Sequence, residues 1–66
     1  MIFPYMVRVP DERDPRNGHD TIEWLKERGK NPGKHYDFHM HGGQSGYTSF
    51  WFKSRTIARW VALVWT

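Results

Sequence analysis

The last third of the chain reads GYTSFWFKSRTIARWVALVWT, from Gly46 to Thr66. This stretch holds three of the four tryptophans and two of the four phenylalanines. Side chains of a strand point alternately to its two faces, so the part that ends at Lys53 should have one apolar and one mixed face. The predicted inward residues are Thr48, Phe50 and Phe52, and the predicted outward residues are Tyr47, Ser49, Trp51 and Lys53.

A helix should follow this strand. Ser54 is a suitable N-cap, and the positions that recur at the spacing of a buried helix face are Ile57, Ala58 and Val61. The end of the segment allows two interpretations: a helix that continues to Thr66, or a strand over residues 61–66. We predict the strand, because this end is rich in β-branched and aromatic residues and has no polar helix face.

Three further elements are predicted upstream. A strand over residues 1–9 and a strand over residues 35–41 both alternate between apolar and polar side chains. Between them, a polar and solvated loop over residues 11–19 leads to a helix that ends at Gly29. Asp20 and Glu23 have the spacing of a capping box, which places the start of this helix at Asp20.

The predicted order of elements is therefore β-α-β-β-α-β. With a right-handed crossover after the first strand, this order gives a small α+β fold of the ferredoxin-like (split βαβ) type. It would have a four-stranded antiparallel sheet with two helices on one face. The other face of the sheet would be open unless a partner covers it.

The composition limits the class of protein. The 66 residues form a single domain, 1–66, with no cysteine and a net charge of +3. No stretch approaches the roughly 20 apolar residues that span a bilayer, and the start of the chain does not resemble a signal peptide. We therefore expect a soluble, cytoplasmic protein with no membrane partner.

No pattern in the chain indicates a reaction. The glycines at positions 42, 43 and 46 join two strands and are not followed by the Lys-Ser/Thr pair of a phosphate loop. A hairpin reversal is the favoured use of these glycines. No pair of carboxylates or activated nucleophile stands out, so we predict a protein that is not an enzyme and needs no cofactor.

A row of imidazole and carboxylate side chains is the one candidate metal site. It consists of His35, Asp37, His39 and His41, which would line one face of a strand. These groups are good ligands for zinc, but neighbouring side chains on one flat strand diverge, whereas a tetrahedral site needs ligands that converge. The favoured interpretation is the polar, solvent-facing side of a strand.

The open sheet face is the leading candidate for a binding site. Aromatic side chains with cations around them suit a protein interface, and they also suit stacking with unpaired bases. The predicted partner-binding residues are Tyr47, Trp51, Arg8, Lys53, His39, His41, Arg55 and Arg59. A homodimer through the same face is compatible with this prediction.

The segment from Gly46 to Phe52 resembles the third strand of RNA-recognition-motif domains. Gly46, Tyr47 and Phe52 match that signature, and Ser49 stands where the family has a second stacking aromatic. Residues 2–3, Ile-Phe, are loosely similar to the partner signature on the first strand. This resemblance implies binding of RNA or single-stranded DNA.

A second resemblance is to short uncharacterised bacteriophage proteins. It is carried by residues 50–54, FWFKS, and by the spacing of Ala58, Val61, Leu63 and Trp65 after them. Ser54 replaces the acidic residue that is usual in those proteins. The resemblance implies an inhibitor or adaptor that docks onto a host protein or nucleoprotein complex, which is our leading functional hypothesis.

Overall fold

The computed structural model describes residues 3–40 and 46–66. The predicted reversal covers residues 42–46, of which only Gly46 lies within these ranges; Met1, Ile2 and His41 also lie outside them. The described elements follow in the order β-α-β-β-α: β1 Tyr5–Pro10, α1 His19–Glu27, β2 Tyr36–Met40, β3 Tyr47–Phe52 and α2 Arg55–Trp65.

The three strands form one antiparallel sheet in the order β1-β3-β2. Both outer strands run antiparallel to β3, so β1 and β2 lie parallel to each other on either side of it. In this register Val7, Phe50 and Phe38 lie in one row across the sheet, and Met6, Trp51 and Asp37 lie in the next. Because side chains alternate along a strand, the two rows point to opposite faces.

One face of the sheet, which we call the inner face, packs against both helices. The buried core consists of Val7, Val9, Leu25, Tyr36, Phe50, Phe52, Ala58 and Val61. The three inward residues predicted for β3 are all buried, as predicted, but Ser49, which was predicted to point outward, is also only 3% exposed. Tyr5 lies on the same side of β1 as Val7 and Val9, because it pairs with Phe52, but it is 37% exposed at the start of the strand.

The predicted four-stranded ferredoxin-like sheet is wrong, because residues 61–66 do not form a strand. α2 instead continues from Arg55 to Trp65, with Ser54 as its N-cap: the Ile57 N–H donates to Ser54 Oγ at 3.3 Å. As a strand, Val61 and Leu63 would share one face. In the helix, Val61 is fully buried and Leu63 is 83% exposed. Packing of Ala58 and Val61 into the core therefore overrides the β propensity of this end.

The predicted capping box of α1 is also wrong. The helix begins at His19, and its N-cap residue is Gly18, which has no side chain that could cap it. The carboxylate of Asp14 does so from the preceding loop: its Oδ2 accepts the Thr21 N–H at 2.9 Å and the Thr21 hydroxyl at 2.7 Å. Asp14 is only 1% exposed, so this part of the loop is buried and not solvated as predicted.

The C-terminal end of α1 was predicted correctly. Gly29 has a φ of 76°, and it follows the C-cap residue Arg28. The Lys30 N–H donates to the Leu25 carbonyl at 2.9 Å, and the Gly29 N–H donates to the Lys26 carbonyl at 3.0 Å. These two hydrogen bonds form a Schellman motif, which needs a residue with positive φ at the position of Gly29.

Candidate functional site

The face of the sheet opposite the core, which we call the outer face, has no helix packed on it in the described ranges. The buried apolar residues of both helices, Leu25, Ala58 and Val61, belong to the core cluster on the inner face. The register places these residues on the outer face: Met6, Arg8, Asp37, His39, Tyr47, Ser49 and Trp51. Four of the predicted binding residues therefore lie together: Arg8, His39, Tyr47 and Trp51.

The Arg8 side chain and the Tyr47 ring form one end of the outer face. The guanidinium carbon of Arg8 lies 5.0 Å from the Tyr47 ring centroid, in cation–π contact. Ser49 lies opposite both Arg8 and His39, and is only 3% exposed. This end of the face is therefore closely packed, and a side chain of the protein covers the Tyr47 ring on one side.

Trp51 forms the other end of the outer face. It is half-buried, and the register places it between Met6 on β1 and Asp37 on β2. Met6 is 46% exposed, and Asp37 is exposed. The indole thus lies on the central strand, beside an apolar neighbour and an acidic one. Such a partly exposed aromatic on a central strand can anchor an interface.

Lys53 follows the end of β3 and is exposed. Its ammonium nitrogen lies 5.5 Å from the Phe3 ring centroid, near the start of the chain. Lys53 therefore lies past the end of β3, beyond the outward side chains Tyr47, Ser49 and Trp51 of that strand.

Two of the predicted binding residues, Arg55 and Arg59, are not on the outer face. They lie on α2, which packs against the inner face of the sheet through Ala58 and Val61. The guanidinium carbon of Arg55 lies 6.0 Å from the Tyr5 ring centroid, at the edge formed by β1. The cations that were predicted to surround one aromatic surface are thus divided between two layers of the fold.

Several shallow hollows lie along α2. Three of them share Arg59 in their lining. One runs between the helix and the first strand, and we call it the β1–α2 groove; it is lined by Pro4, Tyr5, Met6, Val7, Arg55, Ala58, Arg59 and Ala62. The other two are lined partly by Leu63, which is 83% exposed.

This side of the molecule was not predicted to be a candidate surface. The apolar residues of its surface, Trp60 and Leu63, were assigned to the end of a helix and to a strand. A helical period continued past Trp60 would have placed Leu63 one turn after Arg59 and hence on the same face. A helix that continues to Thr66 was the interpretation that we did not choose, because the β propensity of residues 61–66 favoured a strand.

Trp60 also belongs to a cluster that joins the two helices. Its ring centroid lies 5.1 Å from that of Trp24, in an edge-to-face arrangement. The Arg28 guanidinium carbon lies 4.0 Å from the Trp24 ring centroid and 5.5 Å from that of Trp60. Arg28 therefore occupies the position over these rings that a cationic ligand would need, and the cluster is structural.

The residues of the predicted metal row do not converge where the structure describes them. His35 Nδ1 accepts the Asn31 N–H at 3.0 Å, and Asp37 Oδ1 accepts the Phe38 N–H at 2.8 Å. In the described ranges no three potential metal-ligating side chains come together. His41 lies outside these ranges, so a site that includes it stays a prediction.

The environment of His35 favours its neutral form. Partial burial of the ring lowers the pKa of His35, and the ammonium groups of Lys30, Lys34 and Lys53 lower it further. The hydrogen bond from the Asn31 N–H requires an unprotonated Nδ1 in addition. This histidine is thus held as a neutral acceptor in the loop before β2.

Comparison with protein-family models, with curated proteins and with solved structures gave no match. Neither described helix has the length and apolar character to cross a membrane.

Proposed function

We propose that this chain is a non-enzymatic binding protein that docks onto a protein or nucleoprotein assembly through its outer face. One observation carries the proposal: a half-buried tryptophan lies on the central strand of a sheet, on a face where no described helix packs. Aromatic and arginine side chains contribute most of the binding energy at protein interfaces. Trp51 is the main anchor of the proposed interface, and Arg8 and Tyr47 lie at the other end of the same face.

The resemblance of the C-terminal segment to short bacteriophage proteins suggests the kind of partner. On that basis, the assembly belongs to a host cell, and the chain acts as an inhibitor or adaptor in the host cytoplasm. The net charge of +3 favours encounter with an acidic surface.

A protein partner fits the outer face better than a nucleic acid does. A base that stacks on Tyr47 would have to compete with the Arg8 guanidinium, which lies 5.0 Å from the centre of that ring. A nucleic-acid strand that continued to Trp51 would then pass Asp37, whose carboxylate repels the phosphate groups. These two contacts disfavour a continuous path for a single strand across β3.

Site-specific photocrosslinking tests this proposal. A photoreactive phenylalanine analogue replaces Trp51 in one version of the protein and Lys26, on the exposed side of α1, in another. We expect bacterial lysate to give a discrete protein adduct from position 51 that survives nuclease treatment, and none from position 26. Equal adducts from both positions, or no adduct from position 51, would contradict the proposed site.

Single-stranded nucleic acid is the competing partner, because Trp51, Arg8 and Lys53 also suit stacking and phosphate contacts. Its signature is salt dependence, with a log–log slope of about −0.7 for each phosphate neutralised on a single strand. If the protein shifts RNA with such a slope and Trp51→Ala abolishes the shift, the nucleic-acid function replaces the one proposed. Absence of any shift at low salt would eliminate it.

A further inference from the structure

We propose that the β1–α2 groove is a second docking surface, which binds an extended acidic segment of a protein partner. The segment pairs with the free edge of β1 as an additional strand. This surface is separate from the outer face and does not depend on the function proposed for that face.

The edge of β1 is open in the described part of the chain. β1 pairs with β3 on one side, from Tyr5 to Pro10, and no described residue pairs with its other side. Residues 61–66, which could have formed a further strand, are instead part of α2 or follow its end. An edge of this kind has unpaired backbone N–H and C=O groups, to which an extended peptide can add.

The groove next to this edge has an apolar wall and a cationic rim. Ala58 and Ala62 of α2 line it together with Tyr5 and Val7 of β1. Tyr5 is 37% exposed, so its ring has apolar surface for a ligand to cover. A peptide that pairs with β1 would bury this surface along with its own side chains.

The charge of the groove selects the ligand. Arg55 and Arg59 both line it, and no described carboxylate forms an ion pair with either. The first turn of α2 contains no acidic residue. A ligand with carboxylates would therefore neutralise two guanidinium groups that the described fold leaves without counter-charge.

The spacing of the two arginines matches that of an extended chain. Arg55 and Arg59 are one helical turn apart, or about 6 Å along the helix axis. Alternate side chains on one face of a strand are roughly 6.5–7 Å apart. Two acidic residues separated by one position on an added strand can thus reach one arginine each.

A second copy of this chain is a poorer occupant of the same edge. β1 has the sequence YMVRVP, which contains a cation, Arg8, and no carboxylate. Pairing of two β1 edges would bring the cationic rim of each groove towards a strand with no negative charge. An acidic segment of another protein has the complementary charge.

Peptide binding tests the charge selection. The probe is a short fluorescent peptide that alternates glutamate with threonine, and its control alternates lysine with threonine. We expect only the acidic peptide to bind, and Arg59→Glu to weaken its binding by roughly fivefold or more. Lys26→Glu makes the same change of charge on the exposed side of α1 and should leave the affinity unchanged. Equal effects of the two variants would overturn the site.

Backbone methylation tests the edge pairing. In an added strand, only alternate N–H groups of the peptide donate to β1. Of two acidic peptides that are N-methylated on alternate sets of residues, we expect one to lose binding and the other to keep it. Any other result overturns the pairing with β1.

Two further measurements separate this surface from the alternatives. Trp51→Ala should leave the affinity for the acidic peptide unchanged, and a loss would show that the peptide binds the outer face instead. Sedimentation of the protein alone should show no dimer at this edge, that is, no dimer that is present in the parent protein and lost in Arg59→Glu. Such a dimer would identify a second copy as the occupant and overturn the proposal.

Discussion

The carboxylate of Asp14 connects the loop before α1 to the first turn of that helix. It is buried and accepts both the backbone N–H and the hydroxyl of Thr21. We expect Asp14→Ala to lower the free energy of unfolding by about 1–3 kcal/mol, because two buried donors lose their acceptor. Urea denaturation followed by tryptophan fluorescence measures the change.

Asp20→Ala is the matched control for Asp14→Ala. Asp20 lies in the same turn, and its carboxylate pairs with Arg16 at 2.9 Å on the exposed side. An exposed pair of this kind contributes at most about 1 kcal/mol. If the two substitutions cost the same, the buried cap described for Asp14 is incorrect.

The neutral state of His35 gives the stability of the fold a pH dependence. Partial burial and the nearby lysines lower the pKa of His35 in the folded chain. In the unfolded chain the ring titrates near its unperturbed pKa of about 6.5, and well above this pH it is neutral in both folded and unfolded chains. Below it, the unfolded chain takes up the proton more readily, so the free energy of unfolding falls as the pH falls.

His35→Gln should therefore reduce the loss of stability between about pH 7 and pH 5. The measurement is the urea midpoint as a function of pH for the variant and the parent protein. Parallel profiles would show that His35 has the same pKa in the folded and unfolded chains.

At the scale of elements, β3 separates the core from the proposed interface. Phe50 and Phe52 are fully buried on its inner face, whereas Trp51 is half-buried on its outer face. We expect Phe50→Ala to cost roughly 3–5 kcal/mol. That loss is comparable to the whole stability of so small a domain, at about 0.05–0.15 kcal/mol per residue. Trp51→Ala should keep the dispersed amide NMR spectrum that Phe50→Ala loses.

The end of α2 can be tested with two neighbouring apolar residues. Val61 is fully buried and Leu63 is 83% exposed, which requires a helix, since a strand would place both on one face. Val61→Ala should lower the free energy of unfolding by roughly 1.5–3 kcal/mol. Leu63→Ala should change it by no more than about 0.5 kcal/mol. Similar losses at both positions would indicate the strand.

These elements show what the sequence could predict. The strict alternation in β3 was enough to assign Phe50 to the core and Trp51 to the surface. The end of α2 was not predictable in this way, because its exposed positions are apolar: Leu63 and Val64 are exposed, so the polar face that identifies a surface helix is missing. Local propensity then favoured a strand, and only packing of Val61 against the sheet decides for the helix.

The same limit applies to the candidate sites. Tyr47 and Trp51 could be placed on one face because they lie on one strand with a fixed period. Arg55 and Arg59 were wrongly predicted to lie at the rim of that face. Their position depends on how α2 packs against the sheet, and the period of a single strand does not determine this packing. The cap by Asp14 could not be read from spacing, since it acts on Thr21 from seven positions upstream.

At the scale of the whole molecule, the core is closed within one chain. Tyr36, Phe50, Phe52 and Val61 are all fully buried without any partner. In the described ranges, apolar side chains remain exposed or partly exposed on the outer face, at the β1–α2 groove and along the outer side of α2. The chain can therefore fold without a partner, and its proposed docking surfaces stay accessible.

This separation predicts how stability depends on protein concentration. If folding and self-association were coupled, the melting temperature would rise with concentration by mass action. Because one chain closes the core, we expect a melting temperature that is constant over a roughly hundredfold range of concentration. Scanning calorimetry and circular dichroism together cover that range. An increase of several degrees would mean that a second chain completes the fold, and that the exposed residues of α2 belong to an obligate interface.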